Sequence, residues 1–319
     1  MATPNPPFQT AVKPFNDATI ADAASRIIAG ECVAVPTETV YGLAADATQG
    51  EAVARIYAAK GRPSFNPLIV HVPTLNEAKK IARFNDPAEE LAAAFWPGPL
   101  TMVLPARKDS PVASLVTAGL DTIAIRIPAH PAMQALLKAS GKPLAAPSAN
   151  ASGRISPSCA DHVQKSLGGR IGLIIDAGPT QHGLESTIVA PTDSAVHILR
   201  PGPISADRVA AAAGIPVSIR EAAKIDAPGQ LASHYAPSKP LRLDAVEAKA
   251  DEWLIGFGAI VGDSSLSPSG DLVEAAAQLF ARLHEAEASD KPHIAVAPLP
   301  ATGIGAAIAD RLARAAHSD

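Results

Sequence analysis

Seven short apolar runs punctuate the first two thirds of the chain, at 32–35, 68–72, 100–104, 123–127, 144–146, 173–176 and 186–189. Helical patterns fall between several of them. Runs of this length bounded by turn residues read as strands, and their alternation with helices predicts a mixed sheet with helices on its faces over roughly 10–212. Composition agrees: with 47% hydrophobic, 18% charged and 4% aromatic residues, the core must be built from Ala, Val, Leu and Ile. That suits an α/β enzyme better than a sandwich.

Locally, 17–30 reads as a helix capped by Asp17 and stopped by Gly30. The strand at 32–35 runs into Pro36 and a loop whose tip carries Thr37, Glu38 and Thr39, the kind of strand end where α/β folds hold ligands. Periodicity fades over 213–240, which reads as a linker rich in Pro, Gly, Ser and charge. Beyond it, strands near 241–243, 253–257 and 294–298 and helices near 271–288 and 303–316 predict a small α/β domain over 241–319.

A net charge of -4 argues against a protein that grips nucleic acid mainly through phosphates, although a local basic cluster stays open. The two cysteines, Cys32 and Cys159, have neither zinc-ligand nor disulfide spacing and read as buried, reduced thiols. The first 17 residues lack the apolar core of a secretory signal. No apolar run approaches the roughly 20 residues that cross a bilayer, so a cytoplasmic protein with no membrane partner is expected.

Lys60 and Arg62 stand two residues apart before a strand, where a point charge and a bidentate fork suit a phosphate chain. A solvated basic turn is the plain alternative. His71 and Arg126 are polar residues inside apolar strands. The histidine fits an ordinary core position, whereas a buried arginine needs a partner such as an anionic ligand. The loop 145–158 gathers Ser148, Asn150, Ser152 and Ser156 with Gly and Pro, a composition that can cradle a nucleotide or be merely a loop. Ser186 has no GxSxG frame and reads as a binding hydroxyl. Arg200 ends the following strand. The Gly303–Gly305 pair lacks a dinucleotide fingerprint and reads as helix-start packing.

Taken together, PTETVYGLAADA (36–47), KGRPSFNPLIVHV (60–72), FWPGPLT (95–101), IRIPAHP (125–131), APSANASGRISP (146–157) and LRPGPI (199–204) resemble the YrdC-type domain of L-threonylcarbamoyladenylate synthases. PGQLASHYAP (228–237) and 303–316 resemble the linker and C-terminal domain of the longer family members. The resemblance covers nearly the whole chain. It implies a YrdC-like twisted mixed sheet flanked by helices over 10–212, a lid-forming linker over 213–240 and a small Rossmann-like α/β domain over 241–319.

It further implies an L-threonine site of Thr37, His71, Arg126 and Ser186. ATP would meet Lys60, Arg62, Ser64, Thr122, Ser148, Asn150, Ser156 and Arg200, with Tyr235 folding over as a lid. Gln230 and Ala232 depart from the family's usual linker residues. The implied enzyme is a nucleotidyltransferase: threonine and bicarbonate form a carbamate that attacks the α-phosphorus of ATP and expels pyrophosphate. Lys60 and Arg62 would carry catalysis with magnesium bound through the phosphates, so losing either should abolish synthesis with the fold intact. A separate transferase would then use the product on tRNA, with room for transient tRNA contact. A carbamoyl-transferring relative from hydrogenase maturation and an RNA-binding, ribosome-associated module remain as alternatives.

Overall fold

The computed structural model describes residues 8–63, 66–219 and 234–317. The elements of the first part are β1 (Ala11–Pro14), α1 (Asp17–Ile28), β2 (Val33–Pro36), β3 (Tyr41–Asp46), α2 (Gly50–Lys60), β4 (Ile69–His71), α3 (Leu75–Ile81) and α4 (Asp86–Phe95). They continue with β5 (Leu100–Pro105), α5 (Ser114–Thr117), β6 (Thr122–Arg126), α6 (Pro131–Ser140), β7 (Leu144–Ala145), α7 (Ala160–Leu167), β8 (Leu173–Asp176), β9 (Thr187–Pro191), β10 (Val196–Arg200), α8 (Ala206–Ala213) and β11 (Val217–Ile219). The second part holds β12 (Leu241–Arg242), β13 (Glu252–Gly256), β14 (Ser264–Ser265), α9 (Leu272–Ala288), β15 (His293–Val296) and α10 (Gly305–Ala316).

The first eleven strands form one mixed sheet in the order β1-β8-β2-β3-β7-β4-β6-β5-β9-β10-β11. Both faces are covered, and the strands show why. In β2, Val33 and Val35 pack under α1 and α6 with Ile27 and Met133, while Ala34 faces the opposite core with Leu43, Ile56 and Leu100. Successive side chains point to opposite faces, so a strand buried on both sides reads as continuously apolar. The second sheet, β12-β15-β13-β14, is parallel throughout and carries α9 and α10, the Rossmann-like arrangement expected.

Several local expectations need correction. Asn16, not Asp17, caps α1, its Oδ1 accepting from the Thr19 amide at 2.9 Å; Asp17 is the first helical residue. Tyr41–Asp46, left without a strand by the sequence, is a fully buried strand. Cys32 is buried, but Cys159 is only partly so. The linker expected over 213–240 begins inside α8 and includes β11; Gln230 and Ala232 lie outside the described residues. The Gly303–Gly305 pair does serve a helix start: a Cβ on Gly305 would meet the Pro300 carbonyl oxygen at 1.9 Å.

The two parts share a core. Val40, Ile155 and Leu184 from the first pack with Leu279, Phe280, Leu283 and Ile308 of α9 and α10. Beside them His162 of α7 stacks on His284 of α9, ring centroids 3.8 Å apart. No helix among the described residues is long and apolar enough to cross a membrane.

Candidate active site

The parallel pairing of β4 with β6 sets His71 directly opposite Arg126 at the carboxyl ends of both strands. This is the edge where open α/β sheets receive ligands. The loop after β2 brings Thr37 and Thr39 over it, the loop after β7 brings Ser148, and the approach to β9 brings Glu185 and Ser186. Arg62 follows α2, Arg200 ends β10, and His234 and Tyr235 close the top. Together they enclose a cavity of about 50 Å³.

Arg126 is nearly buried and anchored on three sides. Its Nε donates to the Gly98 carbonyl at 3.2 Å, Nη1 to Thr39 Oγ1 at 2.9 Å and Nη2 to Glu38 Oε1 at 2.6 Å. Burial pushes the Glu38 carboxyl up, but Arg126 outweighs it and keeps the group below the usual carboxylate range. Three of the five guanidinium N–H donors are thus used, leaving two for a ligand.

His71 is buried and its Nδ1 has no hydrogen-bond partner among the described residues. Burial, with Arg126 adding to it, lowers its pKa to about 3, so the ring is neutral. An unfolded histidine titrates near 6.5, so above that pH neither state is charged and the group contributes nothing to pH dependence. Below it the unfolded chain takes a proton that folded His71 refuses. Stability should therefore fall between about pH 6.5 and 3, by about 1.4 kcal/mol per pH unit from this histidine alone. Urea unfolding of the unaltered chain and of His71→Gln at pH 7.5, 6 and 5 separates it from the other buried histidines; equal pH slopes in the two would refute the neutral buried ring.

The remaining expected residues divide. Thr37, Arg62, His71, Arg126, Ser148, Ser186, Arg200 and Tyr235 line the one cavity. Thr37 Oγ1 is committed to the loop, donating to Val40 O at 2.7 Å and meeting Thr39 Oγ1 at 2.8 Å. Burial lowers the pKa of Arg62 to about 10, and its Nη2 donates to Pro67 O at 3.0 Å. Ser186 Oγ meets Thr101 Oγ1 at 2.7 Å and accepts from Arg200 Nη2 at 3.2 Å. That contact needs Gly202: a Cβ there would come within 2.4 Å of the Thr187 nitrogen.

Lys60, Asn150 and Ser156 stand behind the wall instead. Lys60 Nζ donates to the carbonyls of Ser148 and Asn150, each at 2.5 Å. Asn150 Nδ2 donates to Arg154 O at 2.7 Å, and Ser156 Oγ to Glu185 Oε1 at 2.5 Å. Thr122 is not brought in: it opens β6, four residues and about 13 Å of strand before Arg126. Ser64 lies outside the described residues.

Over this geometry the chain matches two family models, one described as telomere recombination over 25–202 and one as threonylcarbamoyl-AMP synthase, C-terminal domain, over 204–317. A threonylcarbamoyl-AMP synthase of Bacillus subtilis is 39% identical over 94% of each chain. The chain belongs to the threonylcarbamoyl-AMP synthase family. Another member, from Pyrococcus abyssi, is 39% identical over 92% of each chain. The crystal structure of P. abyssi Sua5 complexed with L-threonine superposes with a TM-score of 0.86 at 35% identity, covering 97% of each chain.

Two carboxylates to which the sequence alone assigns no role, Glu38 at the loop tip and Glu185 before β9, are both buried and both held by arginines. The rule that a buried arginine needs a partner could have led from Arg126 to an acid within the protein as readily as to a ligand.

Proposed function

We propose that the chain condenses L-threonine, bicarbonate and ATP into L-threonylcarbamoyl-adenylate and pyrophosphate, for a separate transferase that modifies tRNA. The observation that carries this reading is the wall of one small cavity: three arginines, Arg62, Arg126 and Arg200, with the neutral ring of His71. The free donors of Arg126 suit a threonine carboxylate, held bidentately. Thr37, His71 and Ser186 then meet the rest of the amino acid. The threonine amine and bicarbonate give a carbamate and water. A carbamate oxygen attacks the α-phosphorus as the bond to pyrophosphate breaks.

Charge builds on the phosphates during this displacement. Arg62 and Arg200 stabilise it, while Lys60, Ser148, Asn150 and Ser156 shape the nucleotide's bed, so catalysis is positioning plus electrostatics without a covalent enzyme intermediate. Thr122 belongs to the proposed ATP contacts if the bound nucleotide reaches beyond the cavity, and Ser64 is kept among them on the resemblance. Magnesium would enter with the phosphates, since the two carboxylates on hand, Glu38 and Glu185, are both engaged by arginines. A cytoplasmic setting belongs to the same reading.

Tyr235 acts as the lid. It is 1% exposed, with a backbone φ of 63°, and its hydroxyl has no partner among the described residues. Its neighbours are tied on both sides, the His234 amide to Arg314 O at 3.3 Å and the Ala236 amide to Gly153 O at 2.8 Å. With Tyr235 in place the space between these walls, about 50 Å³, has room for a few waters. A lid movement of this segment would widen it for ATP, and its return would keep water from the labile carbamate.

The test is pyrophosphate release from ATP with magnesium and bicarbonate, with and without L-threonine, serine serving as control and mass spectrometry identifying the adenylate. Threonine-dependent release with that product is expected. Release indifferent to threonine, or none, would overturn the reading in favour of an RNA-binding or carbamoyl-transferring protein.

A further inference from the structure

The largest fully buried side chain among the described residues is a cation from the C-terminal domain. Arg311 of α10 has no exposed side-chain surface, and it crosses to the catalytic domain. Its Nε donates to Glu185 Oε2 at 2.8 Å and Nη2 to the Pro201 carbonyl at 3.0 Å, while Nη1 donates to Asp310 Oδ2 at 2.6 Å on its own helix. The guanidinium carbon lies 5.1 Å from the centre of the Tyr235 ring. The other oxygen of Glu185 accepts from Ser156 Oγ. Glu185 and Tyr235 both line the cavity.

A buried ion pair is a poor way to glue two domains, because apolar residues of similar volume hold as well or better. What the pair supplies here is direction. With Oε2 fixed by Arg311, Oε1 has one orientation in which to receive the Ser156 hydroxyl, and the same guanidinium supports the face of the lid tyrosine. Burial alone would push the Glu185 carboxyl up; Arg311, with Arg200 and the Ser156 hydroxyl, brings it below the usual range and keeps it an acceptor.

We propose that Arg311 is a positioning residue through which the C-terminal domain completes the active site, setting Glu185 and, through it, Ser156, and supporting Tyr235 directly. This rests on the adenylate-forming function above. Ser156 and Tyr235 stand on the nucleotide side, whereas Arg126 and His71 are anchored in the large sheet and do not touch Arg311.

The experiment compares Arg311→Met, Arg311→Lys, Glu185→Gln and the double variant Arg311→Met/Glu185→Gln in the full chain, with circular dichroism and urea unfolding to establish folding. Folded Arg311→Met should lose about 30-fold or more in kcat, with KM for threonine within about twofold. Arg311→Lys, which keeps the charge and loses the fork, should recover only part. The double variant should lose about as much as Arg311→Met alone, since the effect of Glu185→Gln is already contained in the loss of its arginine.

Undiminished kcat in folded Arg311→Met, or losses that add in the double variant, would overturn the positioning role while leaving the function standing. If Arg311→Met does not fold, the charge-conserving Arg311→Lys carries the test: a tenfold or larger fall in kcat with KM for threonine within about twofold, on the scale of about 10–100-fold for supporting shells, upholds the role, and full activity overturns it. No threonine-dependent release by the unaltered chain is a separate result that removes the function itself.

Discussion

Arg126→Met is expected to abolish threonine-dependent pyrophosphate release and to lower the unfolding free energy by about 3–5 kcal/mol. Both effects come from one group. The guanidinium and the Glu38 carboxylate are each about 5% exposed on their side chains, and Glu38 Oε2 also accepts from the Ala129 and His130 amides. Methionine fills the space but leaves that carboxylate buried without its countercharge, and the loop 37–40 loses its tie to β6. Combining it with Glu38→Gln should restore much of the stability and none of the activity, because the buried charge is gone but so is the carboxylate receptor. Urea unfolding and the pyrophosphate assay separate the two. A singly substituted Arg126→Met of unaltered stability would contradict the buried pair.

Lys60→Ala should be nearly as severe, and for a reason the chain's linear order conceals. Beyond the expectation that this lysine can be removed with the fold intact, its contacts predict a cost in stability. Its ammonium holds the Ser148 and Asn150 carbonyls together at the end of α2, and burial, aided by Arg62, already pushes its pKa well down. Removing it strands two buried acceptors at about 1–3 kcal/mol each and frees the loop that presents Ser148. Loss of activity should therefore come with a stability loss of about 2–6 kcal/mol, read by urea unfolding. Equal stability of Lys60→Ala and the unaltered chain would return the lysine to a purely electrostatic role.

What could be read from the residues beforehand follows from how local each determinant is. Strands such as β5 and β6 announce themselves because an apolar run ends at Pro, Gly or charge. Tyr41–Asp46 does not, since it begins directly after the Thr37–Thr39 tip and, buried on both faces, shows no alternation. His71 and Arg126 stood out as polar residues inside apolar runs. Their surroundings did not: Glu38 is 88 residues from Arg126, and the carbonyls that engage Lys60 carry no side-chain signature at all. Arg311 was the least visible. It falls at helical spacing on the face of Ile308, Leu312 and Ala315, but a single arginine on an apolar face names no partner, and Glu185 is 126 residues away.

The core shared between the two domains has a consequence for synthesis of the chain. Val40, Ile155 and Leu184 leave the ribosome long before the helices that cover them. The roughly hundred residues after Ile219 take on the order of 5–20 s to make at usual elongation rates. For that interval the catalytic half carries an uncovered apolar patch and a carboxylate, Glu185, still waiting for its arginine. Rare codons in the stretch encoding α9 would lengthen the wait, so the yield of soluble protein should depend on translation speed there more than anywhere upstream.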